Sequence, residues 1–167
     1  NIKKCLSYAF KRKFDYALML HGDNQYNPKY ISKMLNIITS SNKYSAVSGS
    51  RMMKEDLALK GKMPFYKFLG NIVLTKFFNF LFYTKFTDCH TGYWAYNLKT
   101  INKKFFFNCD NNFCFDIDLR LQLVNNNLSI KEIPIKTFYG TEKSSFHIIY
   151  AIRFFFKIFK YKLLRAL

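Results

Sequence analysis

The sequence predicts an α/β fold. Short apolar runs that stop abruptly at loops alternate with longer segments of helical periodicity, and half of the 167 residues are hydrophobic. That is enough for one compact unit with a sizeable core. No internal repeat and no linker interrupts the alternation.

The elements follow in order. Residues 2–12 pattern as a helix, with Ile2, Leu6 and Ala9 or Phe10 at helical spacing. An apolar run from Tyr16 to Leu20 makes 15–20 a strand, and 28–40 is a helix entered at Pro28 with Ile31, Met34, Leu35 and Ile38 on one face. Residues 45–50 form a short strand ending in Gly49-Ser50-Arg51, and 54–63 reads as a basic loop without sustained period. In the long segment 64–82, Lys67, Asn71, Thr75 and Asn79 recur as one polar stripe on an otherwise apolar helix. These polar residues argue against a membrane span; packing on the core or lying on a bilayer surface both fit. Asp88 to Tyr96 is a turn running into an aromatic strand, followed by a polar stretch to Asn112. Residues 113–126 are a helix with Asp116 and Asp118 near its positive end. Residues 128–138 are a strand broken by Pro134, suited to a sheet edge or to two short strands. The tail 144–167 is helical, basic and apolar over most of its circumference.

A formal charge of +17 ordinarily points to a polyanion. Here the basic residues are mostly lysines in a chain equally rich in Asn, Phe, Tyr and Ile, so a solvated lysine surface is preferred. A basic, aromatic module for RNA or single-stranded DNA is the non-enzyme alternative, but no RNP, KH or zinc-finger signature supports it. Cys5, Cys89, Cys109 and Cys114 form no CxxC pair and indicate reduced, mostly buried thiols.

The most informative residues are His21-Gly-Asp23-Asn-Gln25, at the carboxyl end of the first strand, where open α/β sheets bind ligands. Asp23 and Gln25 are hard oxygen donors two residues apart, suited to Mg²⁺ or Mn²⁺. Such an ion suits a diphosphate.

Three ordered blocks, HGDNQYNP, then GSR with KGKMPFYKFLGN and HTGYWAY, then FDIDLRLQ with IPIKTFYGTEKSS, span nearly the whole chain. Together they resemble family 2 glycosyltransferases of the dolichyl-phosphate mannose synthase and polyprenyl-phosphate glycosyltransferase type. The resemblance implies a Rossmann-like GT-A sandwich, a nucleotide-sugar donor and a divalent metal. It implies a partial GT-A domain over 1–143, starting at the helix before the metal motif, and a C-terminal membrane-interfacial helix over 144–167. The strand and loop that hold the nucleotide base in that family have no counterpart here, so an N-terminally truncated enzyme is expected.

Carried over residue by residue, the resemblance makes Asp23 and Gln25 the metal ligands. His21 stands where the family usually has an Asp and becomes a site-lining residue. Arg51 is expected to grip phosphate oxygens through its guanidinium fork. Asn71-Ile72 lacks an arginine that relatives place there, which moves acceptor-phosphate binding to Lys60, Lys62 or Lys67; Phe138 likewise stands where many relatives have arginine. Asp88, His90, Thr91, Gly92 and Tyr93 line the sugar and acceptor side of the cleft. Asp116 and Asp118 face the acceptor as catalytic carboxylates, one of them open to a plain first-turn role.

The implied reaction is an inverting, single displacement of a nucleoside diphosphate by a polyprenyl, dolichyl or other lipid phosphate. The enzyme would be peripheral on the cytoplasmic face of a membrane, without a nucleic-acid partner. A sugar hydroxyl acceptor in polysaccharide or glycolipid synthesis is the alternative, and then Asp116 or Asp118 serves as base. A non-catalytic relative is the third reading, prompted by His21, Ile72 and the expected missing start.

Overall fold

The computed structural model describes residues 1–111, 114–140 and 148–163, the side chains of 55 and 148–151 aside. Its elements are α1 (Ile2–Lys11), β1 (Tyr16–Met19), α2 (Tyr30–Thr39), β2 (Ala46–Ser50), α3 (Glu55–Lys60), α4 (Phe65–Phe82), β3 (Trp94–Asn97), α5 (Lys103–Phe107), α6 (Phe115–Asn125), β4 (Ile130–Pro134) and α7 (Ile148–Leu163). The four strands form one open sheet in the order β1-β3-β2-β4. β3 runs antiparallel to both β1 and β2, while β2 and β4 are parallel. The carboxyl ends of β1, β2 and β4 and the amino end of β3 therefore share one edge. Chain entering or leaving that edge builds the site.

Strand alternation sorts the core into layers. Trp94, Tyr96 and Ala46 pack on one face with Leu6, Phe106, Leu119 and Leu123, contributed by α1, α5 and α6. Tyr93, Ala95, Val47 and Ile133 pack on the other face with Met34 and Ile38 of α2. A second core lies beyond α6, where Ile117 and Leu121 meet Phe78 of α4 and Phe154 and Ile158 of α7. α6 is thus buried around most of its girth, Asp118 and Arg120 included, because it is sandwiched between sheet and outer helices.

Several expectations hold: the helices at the amino end, after Pro28 and over 64–82, and the strands after Asp15 and before Arg51. β4 is an edge strand that ends at Pro134, as a proline without an N–H requires. All four cysteines are free, and three are buried. Two expectations are corrected. The stretch 54–63 contains a helix, α3, held by burial of Ala58 against Met52 and Met63. The polar stretch before Asn112 contains α5, whose N-cap Asn102 accepts a hydrogen bond from the Lys104 N–H. Residues 112–113, 141–147 and 164–167, with the TEKSS motif and the ends of the predicted tail helix, lie outside the described residues.

The largest correction concerns which side of α4 is inside. Its polar stripe faces inward: Asn71 and Thr75 are 6% and 4% exposed, whereas Phe65, Tyr66, Leu69, Val73 and Phe80 are exposed. The physical reason is a buried network. Asn71 Nδ2 donates to Asp88 Oδ1, Thr75 Oγ1 donates to Asn71 Oδ1 and accepts from the Cys89 N–H, and Asn79 bonds both the N–H and the carbonyl of Phe86. The stripe satisfies loop 84–91, which crosses the protein without regular structure.

Candidate functional site at the strand ends

β1 delivers the loop Leu20–Gln25 to the shared edge. The turn closes when the Gln25 N–H donates to Asp23 Oδ1 at 3.1 Å, and Asn24 takes a left-handed φ of 59°. Asp23 stays exposed and Gln25 partly so, with the Gln25 carbonyl accepting from the Phe138 N–H. Behind them His21 lies over Gly92, where a Cβ would overlap the imidazole ring. Glycine is required there by the close approach of His21 rather than by a left-handed backbone. Burial lowers the His21 pKa, and Arg51 adds to this while Asp23 partly opposes it, so the ring is neutral at neutral pH.

The amino end of β3 is fixed by internal bonds. The Gly92 N–H donates to Tyr26 Oη, Thr91 Oγ1 accepts from the Tyr93 N–H, Trp94 Nε1 donates to the Thr91 carbonyl, and Tyr93 Oη donates to the Asn27 carbonyl. Thr91 and Tyr93 are fully buried, so they shape this part of the site from beneath. The His90 ring packs on Phe154 at 4.4 Å with Nε2 unpartnered, and burial brings its pKa down to about 4.

Asp88 is not exposed to the cleft. It is fully buried, and its two oxygens accept from Arg51 Nε at 2.7 Å, Arg51 Nη2 at 2.9 Å, the Arg51 N–H, Asn71 Nδ2 and the His90 N–H. Burial alone would raise its pKa, but the Arg51 charge and these bonds hold it far below the ordinary carboxylate range. The same pairing spends one edge of the Arg51 fork. With Asp88 on its Nε–Nη2 edge and Tyr139 Oη on Nη1 at 3.0 Å, three of the five Arg51 N–H groups are already engaged within the protein.

Of the three candidate lysines, Lys67 alone stands at this hub. Its ammonium lies 5.5 Å over the Tyr139 ring, and burial together with the nearby Arg51 lowers its pKa. Lys60 is exposed and paired with Asp56 at 3.2 Å, and Lys62 is exposed in the turn after α3. The two acids of α6 also part company. Asp118 accepts from Lys157 Nζ at 2.7 Å and from the Asp110 N–H, which ties α6 to α7. Asp116 Oδ1 is buried with no hydrogen-bond partner, and desolvation raises its pKa to about 7 against the fields of Arg120 and Arg51.

Two residues of this hub, Arg120 and Glu132, are absent from the sequence-based set. The Arg120 guanidinium is stacked between Phe86 at 4.4 Å and Trp94 at 4.6 Å, and its Nη2 donates to the Asp88 carbonyl. Glu132 accepts from the N–H groups of Thr87 and Asp88 and from Thr87 Oγ1. Loop 87–88 is thereby clamped from both sides. The legible signal was an arginine between two leucines, LRL, on a helix whose apolar residues are spread around its circumference rather than gathered on one face.

Asp23 and Gln25 offer two hard oxygens. Among the described residues no group of three or more His, Cys, Asp or Glu side chains is placed to hold a metal. That donor set suits a Mg²⁺-type ion shared with substrate phosphates and water, not a cage supplied by the chain alone.

No family model matches the chain. It is similar to the low-salt glycan biosynthesis hexosyltransferase Agl6 of Haloferax volcanii, 37% identical over 87 residues, which are 51% of this chain and 20% of that protein. The chain thus matches about a fifth of the length of this curated relative.

Proposed function

We propose that this chain carries a hexosyl-transfer site of the GT-A type, which takes a nucleotide-diphosphate sugar as donor and a polyprenyl, dolichyl or similar lipid phosphate as acceptor. The observation that carries the reading is that the Arg51 charge reaches His21, next to the Asp23–Gln25 pair in the chain, the half-buried Lys67, and Asp116, whose Oδ1 is buried without a hydrogen-bond partner. Similarity to a hexosyltransferase over half the chain supports it.

A Mg²⁺ or Mn²⁺ held by Asp23 and Gln25 would neutralise the charge that develops on the departing diphosphate. Lys67 adds a cation of lowered proton affinity on the same side. Arg51 contributes chiefly its field, because one bidentate edge is filled by Asp88 and Nη1 also serves Tyr139. His21, neutral and seated on Gly92, forms the floor beneath the oxygen pair. A lipid phosphate has its second pKa near 6, so its oxygen is already anionic at neutral pH. It forms the new bond to the anomeric carbon as the carbon–oxygen bond to the diphosphate breaks, inverting that centre, and the nucleoside diphosphate leaves with the electron pair. Such an acceptor places the chain at the cytoplasmic face of a membrane.

Asp116 favours a second reading in which the acceptor is a sugar hydroxyl. A hydroxyl must lose its proton, and a buried carboxylate with a pKa of about 7 and an unoccupied oxygen is suited to take it.

The test is transfer from a panel of UDP- and GDP-hexoses, with Mg²⁺ or Mn²⁺, to polyprenyl phosphate and to oligosaccharide acceptors. Loss of turnover in Asp23→Ala, with the fold intact, is expected; turnover unchanged by that substitution overturns the site. The acceptor is read from pH. With a hydroxyl acceptor the rate rises through about pH 7 and this limb vanishes in Asp116→Asn, whereas with a phosphate acceptor the variant keeps a limb near pH 6.

A further inference from the structure

The segment after β4 crosses the strand-end edge as a strap. Thr137 pairs with Tyr26 in an antiparallel bridge, the Phe138 N–H donates to the Gln25 carbonyl at 3.0 Å, and the Tyr139 N–H donates to the Gly61 carbonyl at 2.9 Å. Two successive donors thus tie the loop that carries Asp23 and Gln25 to the turn between α3 and α4. The approach at that turn is close. A Cβ on Gly61 would overlap the Thr137 carbonyl, so the turn seats against the strap only through a glycine.

Side chains alternate along the strap, with Phe138 exposed and Tyr139 packed on Met52, Ala58 and Met63. Tyr139 also meets two cations. Its Oη accepts from Arg51 Nη1 at 3.0 Å, and the Lys67 ammonium stands 5.5 Å over its ring. The two charges repel, since Arg51 lowers the proton affinity of Lys67. Asp88 neutralises the first, whereas the second rests on the electron-rich face of the ring.

We infer that Tyr139 is a positioning residue for hexosyl transfer, which holds the Lys67 ammonium beside Arg51, where the donor diphosphate is bound. The inference rests on the transfer reading and adds the residue through which Lys67 is placed. Tyrosine suits the position because its hydroxyl oxygen serves one cation and its ring the other. Packing on Met52, Ala58 and Met63 alone would be met by leucine. The strap gives the ring its reference point: the backbone that carries it is bonded to the loop of the oxygen pair, so cation and oxygen ligands keep a common register.

The experiment is calorimetric titration of the chain with UDP and with GDP, each with Mg²⁺ at low salt. Wild type is compared with Tyr139→Phe, Tyr139→Leu, Lys67→Met and the double variant Tyr139→Leu/Lys67→Met, with circular dichroism to confirm folding. Lys67→Met should weaken binding about tenfold and Tyr139→Leu about two- to fivefold. The double variant should bind no more weakly than Lys67→Met, because the ring acts through the lysine. Tyr139→Phe, which keeps the ring, should stay within about twofold of wild type. The positioning role is overturned if Tyr139→Leu binds like wild type, if the two losses add, or if phenylalanine fails to rescue what leucine loses. A wild-type chain that binds neither diphosphate overturns the role and the transfer reading together. Coupled losses without transfer from any hexose donor uphold the positioning of Lys67 and overturn the transfer reading alone.

Discussion

Asp88, fully buried, and Asp116, partly exposed with its Oδ1 buried, lie within the field of the same arginine, Arg51, and they are treated in opposite ways. Asp88 receives five hydrogen bonds, two of them from one edge of the Arg51 guanidinium, which hold it ionised. Asp116 has one oxygen with no partner and a pKa raised to about 7. A carboxylate that is saturated is committed to the fold, because any ligand would have to displace bonds already made. A carboxylate left unsatisfied costs stability and keeps its proton negotiable near neutral pH, which is the condition of an acid–base group. The difference teaches which acid is committed to the frame and which is left able to exchange its proton.

The comparison is broken most forcefully at Asp88. Asp88→Ala leaves the buried Arg51 charge without its partner and should cost about 3–5 kcal/mol, read from the urea midpoint. Because the folded pKa lies below the unfolded value near 3.9, the wild-type contribution is present above that value and fades as pH falls through it. The variant should therefore lose part of its acid-side slope as well as its midpoint. An unchanged midpoint would mean that the five bonds contribute nothing net.

Asp116→Asn should move stability the other way. The folded pKa of about 7 exceeds the unfolded value, so wild type binds more protons when folded and loses stability as pH climbs from about 4 through 7. The amide carries no such penalty. A gain at pH 8 of up to about 4 kcal/mol is expected, shrinking to nothing at pH 4, and chemical denaturation at the two pH values checks it. A variant that is more stable and less active would mark Asp116 as a site group.

This contrast was only half legible in the sequence. Asp116 and Asp118 sit two residues apart and look alike in the string FDID; Lys157, far along the chain on α7, and the Asp110 N–H separate them. The place of Asp23 and Gln25 at the sheet edge was legible because strand and turn are contiguous, so it follows from local pattern alone. The helix over 64–82 was legible in extent but not in orientation. Hydropathy periodicity marks a polar stripe, but the string does not say that loop 84–91 needs those amides buried. Gly92 was singled out as cleft-lining, while the approach of His21 that fixes a glycine there joins residues distant in sequence and was not legible in the string. Asp88, placed in the cleft by resemblance, lies beneath it because Arg51, Asn71 and His90 all converge on it.

Asn71→Ala sharpens the comparison by making Asp88 slightly more like Asp116. It removes one charge-assisted hydrogen bond at 2.9 Å and strands the Thr75 hydroxyl that donates to Asn71. A loss of about 1.5–3 kcal/mol follows, smaller than at Asp88 because Arg51 remains in place. Asn71→Asp should be worse than alanine, since it sets a second carboxylate against Asp88.

Asp118 is the intermediate case and gives the smallest effect. Burial raises its pKa, while the Lys157 ammonium and the Asp110 N–H oppose that rise, and Lys157 is itself only partly covered. Lys157→Met removes a partly solvated ion pair whose cation also serves Asp110, and such pairs contribute about 0.2–1 kcal/mol at the surface. With Asp118 largely buried, a loss of about 1–2 kcal/mol is expected. It should appear mainly as faster amide exchange in α7, because Lys157 bridges that helix to Asp118 on α6 and to Asp110 before it. The folded pKa of Asp118 should rise further toward that of Asp116, which titration by carbon-13 carboxyl shifts reads directly. If it stays where it is, the separation between the two acids of α6 arises from solvent access rather than from the lysine.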